Sequence, residues 1–138
     1  MSKMNFNDYG RSMATYNSWQ NGVLFDLCEQ IGDVERRKDR GMFFGSIHNT
    51  LNHILYVDLR ILTILRTGEA GPFQPTSIVA DDFETLKAMR NEVDAEITEF
   101  VEGTDHSWQD EIRELPFPDG VTRKLPRQLF LVQLFNHQ

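Results

Sequence analysis

The chain has 138 residues, 40% hydrophobic and 25% charged, and its 14 Lys and Arg against 21 Asp and Glu leave a formal charge of −7. That length suits one domain around one core, no apolar run approaches the ~18 residues of a bilayer span, and the opening MSKMNFNDYGRS lacks the apolar stretch of a secretory signal. An acidic chain without a basic run is a poor phosphate binder, which excludes nucleic acid as a partner, and a lone cysteine, Cys28, makes neither an internal disulfide nor a cysteine-rich zinc cage, so a soluble cytoplasmic protein is expected.

The first helix is expected over about Tyr9 to Ile31. Tyr16, Trp19, Val23 and Leu27 recur three or four residues apart, with Leu24, Cys28 and Ile31 beside them, as in the buried stripe of an amphipathic helix. Gly32 follows as a left-handed stop. A second helix is expected over about Ser46 to Arg66, where Ile47, Leu51, Ile54, Asp58, Ile61 and Leu65 keep helical spacing. Ser46 caps its start and Thr67-Gly68 closes it. Gly68, Gly71, Pro72 and Pro75 mark residues 68–80 as a crossing loop. A third helix opens at Asp81, whose side chain caps while Glu84 completes a capping box. It buries Leu86, Met89, Val93, Ile97 and Phe100 and stops at Gly103. Within residues 107–124, two short stretches flank Pro118-Asp119-Gly120, a turn signal, so a short extended or hairpin excursion is expected there. Pro126 suits the first position of a fourth helix.

That fourth helix would have 13 residues to Gln138, about 20 Å against about 32 Å for the second. A bundle partner that short leaves apolar surface bare, and no glycine closes it, so the last helix is expected to be cut short at its C-terminus.

Four histidines are candidates for chemistry: His48, His53, His106 and His137. His48 and His53 flank the apolar face of the second helix about 140° apart, too far to chelate one metal from one face. Phe130, Leu134 and His137 lie at i, i+4 and i+7, so His137 continues the buried stripe of the last helix. Histidines from separate helices are raw material for a metal site, although a histidine beside an apolar face is more often a hydrogen-bonded core group. His106, in a polar stretch, is expected at the surface. Asp58 interrupts an apolar arc and must be paired, since an isolated buried carboxylate costs several kcal/mol. One reading is functional, an acceptor that orients a metal-bound histidine or a polar group facing a cavity; the other is the partner of an arginine on another helix. Cys28 is expected as a core filler without a basic neighbour to lower its pKa. Tyr16, Trp19, Phe25, Phe130 and Phe135 are expected in the core, and Glu92, Asp94, Glu96, Glu99 and Glu102 on a solvated face. Spacing alone therefore stops at a helical bundle with a candidate metal site.

Three stretches carry a resemblance: Tyr16-Asn17-Ser18-Trp19-Gln20-Asn21, the run from Phe44 to Leu55, and Leu134-Phe135-Asn136-His137-Gln138. They resemble the DinB-like (DinB/YfiT, damage-inducible) metalloprotein family, in consistent order from about Tyr9 to Gln138. The resemblance implies an all-α four-helix bundle with a long crossover, spanning 1–138 as a single domain, and a homodimer. It implies one divalent metal, zinc or nickel, held by three histidines. The first maps onto His53. The other two form an HxxxH pair whose first member maps onto His137 and whose second would lie four residues on, past Gln138.

The family further implies thiol S-transferase-type chemistry, in which a low-molecular-weight thiol cosubstrate, activated by the metal, attacks a small-molecule electrophile. A metal-dependent hydrolase would use water at the same place. The alternative is a non-catalytic dimeric helical bundle serving as a stress-response or ligand-binding protein. Neither reading involves nucleic acid or a membrane.

Overall fold

The computed structural model describes residues 3–138, the side chain of His106 excepted. The protein is mostly helical. Helices α1 (Phe6–Arg37), α2 (Ile47–Thr67) and α3 (Phe83–Gly103) precede a short 3-10 turn (His106–Trp108). An antiparallel strand pair, β1 (Ile112–Pro116) and β2 (Thr122–Pro126), then leads into α4 (Arg127–His137). No helix among the described residues is long and apolar enough to cross a membrane.

Local chemistry accounts for most of the boundaries. Asn5 and Asp8 form a reciprocal capping box at the start of α1, and the Ser46 hydroxyl accepts from the Asn49 amide at the start of α2. Gly68 ends α2 in the left-handed region (φ 77°), with its amide donating to the Ile64 carbonyl at 2.9 Å. The cap of α3 is Asp82 rather than Asp81, accepting from the Thr85 amide. Asp81 instead takes Arg37, at 2.8 Å. The excursion before α4 is a hairpin in which Ile112 faces Pro126 and Pro116 faces Thr122. Gly120 (φ 80°) supplies its turn. Pro126 ends β2 and precedes α4, whose first residue is Arg127.

The clearest departure from the sequence expectation is α1. Tyr16, Trp19, Val23, Leu24, Leu27 and Ile31 are exposed, Trp19 by 63%. The face turned inward carries Gly10, Ala14, Asn17, Asn21, Phe25 and Cys28. Helical spacing identified an apolar stripe but not the direction in which it points. The inward direction is set by Asn17 and Asn21, which have polar partners in the interior. Gly32, by contrast, breaks the helix where expected: its backbone (φ 81°, ψ 164°) is non-helical, and a short helical segment to Arg37 follows across the kink. Beyond it Arg36 folds back, donating to the Cys28 carbonyl at 2.7 Å and lying 3.8 Å over the Phe83 ring. Cys28 is buried and so has a basic neighbour after all, yet burial outweighs Arg36 and pushes its thiol upward.

Helix α1 packs mainly on α3, and α2 mainly on α4. Leu55, Leu65, Leu86, Ile97 and Leu134 are fully enclosed between them. Within this apolar interior sits an ionic cluster. Arg90 of α3, 2% exposed, donates through Nη2 to Asp58 of α2 and to Asp94 of its own helix, both at 2.7 Å, and through Nε to Asp94 at 3.0 Å. Asn17 and Asn21 donate to Asp94, and Gln138 donates to Asp58 at 2.6 Å. Asp94 is therefore not part of the solvated face of α3. Of the two readings of Asp58, the structure has the pairing with an arginine on another helix. Burial outweighs Arg90 and Gln138 and pushes Asp58 up to about 6, and burial likewise raises Asp94.

Two outcomes follow for stability. Arg90→Met strands two buried carboxylates and should cost about 3–5 kcal/mol in urea denaturation at neutral pH. Because Asp58 titrates higher in the folded chain than the ordinary ~3.9 of an unfolded one, its contribution is full below about pH 4 and is lost as pH rises toward 6. The stability of wild type relative to Asp58→Asn should therefore fall between pH 4 and 6 and level off above pH 7. A difference that stays flat across that range would contradict this.

Candidate functional site

Arg127 at the start of α4 donates to the Leu65 carbonyl near the end of α2, and His137 at the end of α4 meets His53 near the start of α2. The two helices thus run antiparallel and bring together two histidines 84 positions apart. Their Nε2 atoms are 3.2 Å apart and their ring centroids 5.1 Å apart.

His53 is held from three sides. Its Nδ1 lies 2.7 Å from the Pro75 carbonyl, which can only accept, so Nδ1 carries the proton and Nε2 presents a lone pair toward His137. Phe44 stacks on the ring at 4.0 Å between centroids. Phe44 is in turn fixed by Asn49, whose amide donates to its carbonyl at 2.9 Å. Pro75 is placed by the end of the crossing loop, which Asn52 anchors. The Asn52 Oδ1 accepts the Val79 and Ala80 amides at 2.8 and 2.9 Å. Asn52 is fully buried and sits one residue before the histidine whose acceptor it positions.

His137 is nearly as enclosed. Burial, and then the neighbouring His53, hold its pKa below the ordinary value, so it is neutral at pH 7. Two nitrogens at 2.0–2.1 Å from one tetrahedral ion are about 3.3 Å apart, close to the 3.2 Å found here. The pair fits a divalent cation on three counts: separation, a His137 imidazole that burial keeps neutral, and a second nitrogen of His53 tied to a carbonyl, as ligating histidines ordinarily are. The buried His137 Nδ1, by contrast, has no hydrogen-bond partner. No third His, Cys, Asp or Glu joins the two among the described residues.

The remaining histidines lie elsewhere. His48 is buried, with Nε2 3.5 Å from Asp81 and 3.4 Å from the Asn52 amide, and burial followed by Arg37 lowers its pKa. It does not meet the His53–His137 pair. The side chain of His106, expected at the surface, lies outside the described residues. Asp58 touches neither of the paired histidines and reaches α4 through Gln138.

His137 also lines a cavity of about 630 Å³ between α2, α4, the hairpin and the crossing loop, within the usual range for small-molecule sites. Among its lining residues only Arg60, Gln133 and His137 have polar side chains. The structure brings together His53 and His137, the two histidines the sequence singles out, but little in the sequence marks the groups that support them. Phe44, Asn52 and Pro75 act through a ring stack, loop amides and a backbone carbonyl, none of which has a residue-type signature. The one available signal was an asparagine on the apolar side of α2.

A family model described as DinB family matches residues 1–138, the whole chain. No curated protein matches the sequence.

Asn52→Ala removes the acceptor of two loop amides. It should cost about 1–3 kcal/mol and speed hydrogen exchange at Val79 and Ala80 while leaving amides in the middle of α3 protected. Unchanged exchange at those two amides would show that the loop is held by other means.

Proposed function

The chain belongs to the DinB family, and from that membership and the histidine geometry we propose that it is a divalent-metal protein of four-helix-bundle type, with residues 68–80 as part of the long crossover. The Nε2 atoms of His53 and His137 would hold zinc or nickel. The single observation that carries this reading is their 3.2 Å separation, with His53 Nδ1 engaged by the Pro75 carbonyl so that its Nε2 faces His137. The family pattern's third histidine, one turn beyond His137, would complete the protein ligand set.

When bound, a divalent ion supplies Lewis acidity that makes a low-molecular-weight thiol, or water, nucleophilic at neutral pH. Thiol S-transferase-type chemistry on a small electrophile is the activity this supports best. The chain's own contributions are positional. Pro75 and Phe44 fix the plane of the His53 ring, which limits the reorganisation that binding would require. The enclosed apolar surroundings of His137 keep it unprotonated and restrict water. The cavity beside His137 offers an electrophile a low-dielectric place next to the two imidazoles.

The exposed stripe on α1 supports a homodimer. Tyr16, Trp19, Val23, Leu27 and Ile31 share an arc with Ser12, Gln20, Leu24 and Gln30, and that arc holds no charged residue although a quarter of the chain is charged. Two copies, each at −7, would meet most easily along such an uncharged face, in a two-fold contact where each stripe covers the other.

Purified protein should contain about one equivalent of zinc or nickel by elemental analysis, lost in His53→Ala and in His137→Ala. Absence of metal from wild type after reconstitution with either ion would overturn the metal reading and leave the non-catalytic, ligand-binding one. In sedimentation, Trp19→Glu should convert a dimer to a monomer without loss of helicity. A monomeric wild type would sink the dimer.

A further inference from the structure

The cavity beside His137 is almost wholly apolar, with one charge in its wall. Val57, Ile61 and Ile64 of α2 form one side and Phe117 and Leu125 of the hairpin another. The charge is Arg60, half-buried on α2. Each of the other arginines lies within 4.0 Å of a carboxylate, in a chain with an excess of acids. Among the described residues Arg60 has none. Its guanidinium donates one hydrogen bond to the Gly71 carbonyl and lies 5.5 Å over the Phe73 ring. That leaves most of its donors without a protein partner. No acidic side chain lines the cavity.

A guanidinium set beside apolar walls with donors to spare offers a carboxylate a charge-assisted, two-pronged contact. Position adds a second constraint. Arg60 follows His53 by seven residues on α2, which is two turns along nearly the same face, or about 10 Å of axial rise. A ligand whose carboxylate meets Arg60 could therefore lay an apolar body along Ile61 and Phe117 and bring its other end to His137.

The geometry points to an apolar carboxylate as the cavity's ligand, of the medium-chain alkanoate or arylalkanoate kind, anchored by Arg60 with its far end toward the histidine pair. This deepens the metal-site reading and rests on it only for the orientation of the ligand. A cationic amphiphile would meet Arg60 with like charge. A neutral one would gain the walls but not the anchor.

The test is isothermal titration calorimetry on the full chain with sodium decanoate, against 1-decanol and decyltrimethylammonium at concentrations below micelle formation. Metal-free conditions keep any carboxylate–metal contact out of the measurement. Decanoate should bind with one-to-one stoichiometry and at least tenfold more tightly than decyltrimethylammonium. Arg60→Gln should weaken decanoate at least tenfold and leave decanol unchanged. Leu129→Trp, at an exposed position of the cavity wall, should weaken both without threatening the fold. Equal affinity for the anion and the cation, or an Arg60→Gln protein that keeps its decanoate affinity, overturns the inference. The two readings fail separately: zinc uptake without decanoate binding removes this one, and decanoate binding without zinc uptake removes the metal site.

Discussion

One guanidinium, that of Arg90, ties the interior together. It stands between the carboxylates of Asp58 on α2 and Asp94 on α3, and the second of these also receives Asn17 and Asn21 from α1. Through Asp58 the cluster reaches Gln138, the residue after His137. All four helices are thus linked by hydrogen bonds to charged groups, which are the stronger kind. Apolar packing among leucines tolerates sliding by a turn, whereas a buried ion set with one matching arrangement does not. Desolvation of the two acids outweighs the single cation they share, so burial raises both carboxylates.

That cluster has a consequence for the histidines. Gln138 seated on Asp58 fixes the rotation of the last turn of α4, and with it the direction in which His137 points. On the opposite side, Asn52 holds the end of the crossing loop to α2, and the loop returns a carbonyl to His53. The two imidazoles therefore approach from independently braced elements. Their 3.2 Å separation is a product of both braces rather than of any local sequence pairing.

Much of this was legible in the residues, and what was not has identifiable causes. The capping serine of α2, the left-handed Gly68, the hairpin turn at Pro118-Asp119-Gly120 and the crossing loop are local features, and local chemistry specifies them. The face of α1 was misread because two asparagines, polar by type, outrank Trp19 and Leu27 for the interior once Asp94 is there to receive them. Asp94 was misread for the same reason, since in isolation it belongs to a run of acids on one helix. A buried salt bridge joins positions far apart in the chain, and periodicity carries no information about it. His53 and His137 were within reach because they sit at the edges of apolar stripes. Phe44, Pro75 and Arg60 act from loops or from an otherwise ordinary helical face, and only their arrangement in space gives them meaning.

The account turns on two imidazoles from α2 and α4 sharing one ion, and zinc K-edge X-ray absorption on the zinc-loaded protein tests that most directly. Wild type should show imidazole scattering with Zn–N distances of about 2.0–2.1 Å, and His53→Ala and His137→Ala should each lose one imidazole from the fit or fail to take up zinc. A zinc environment unchanged by either substitution would place the ion elsewhere and contradict the account.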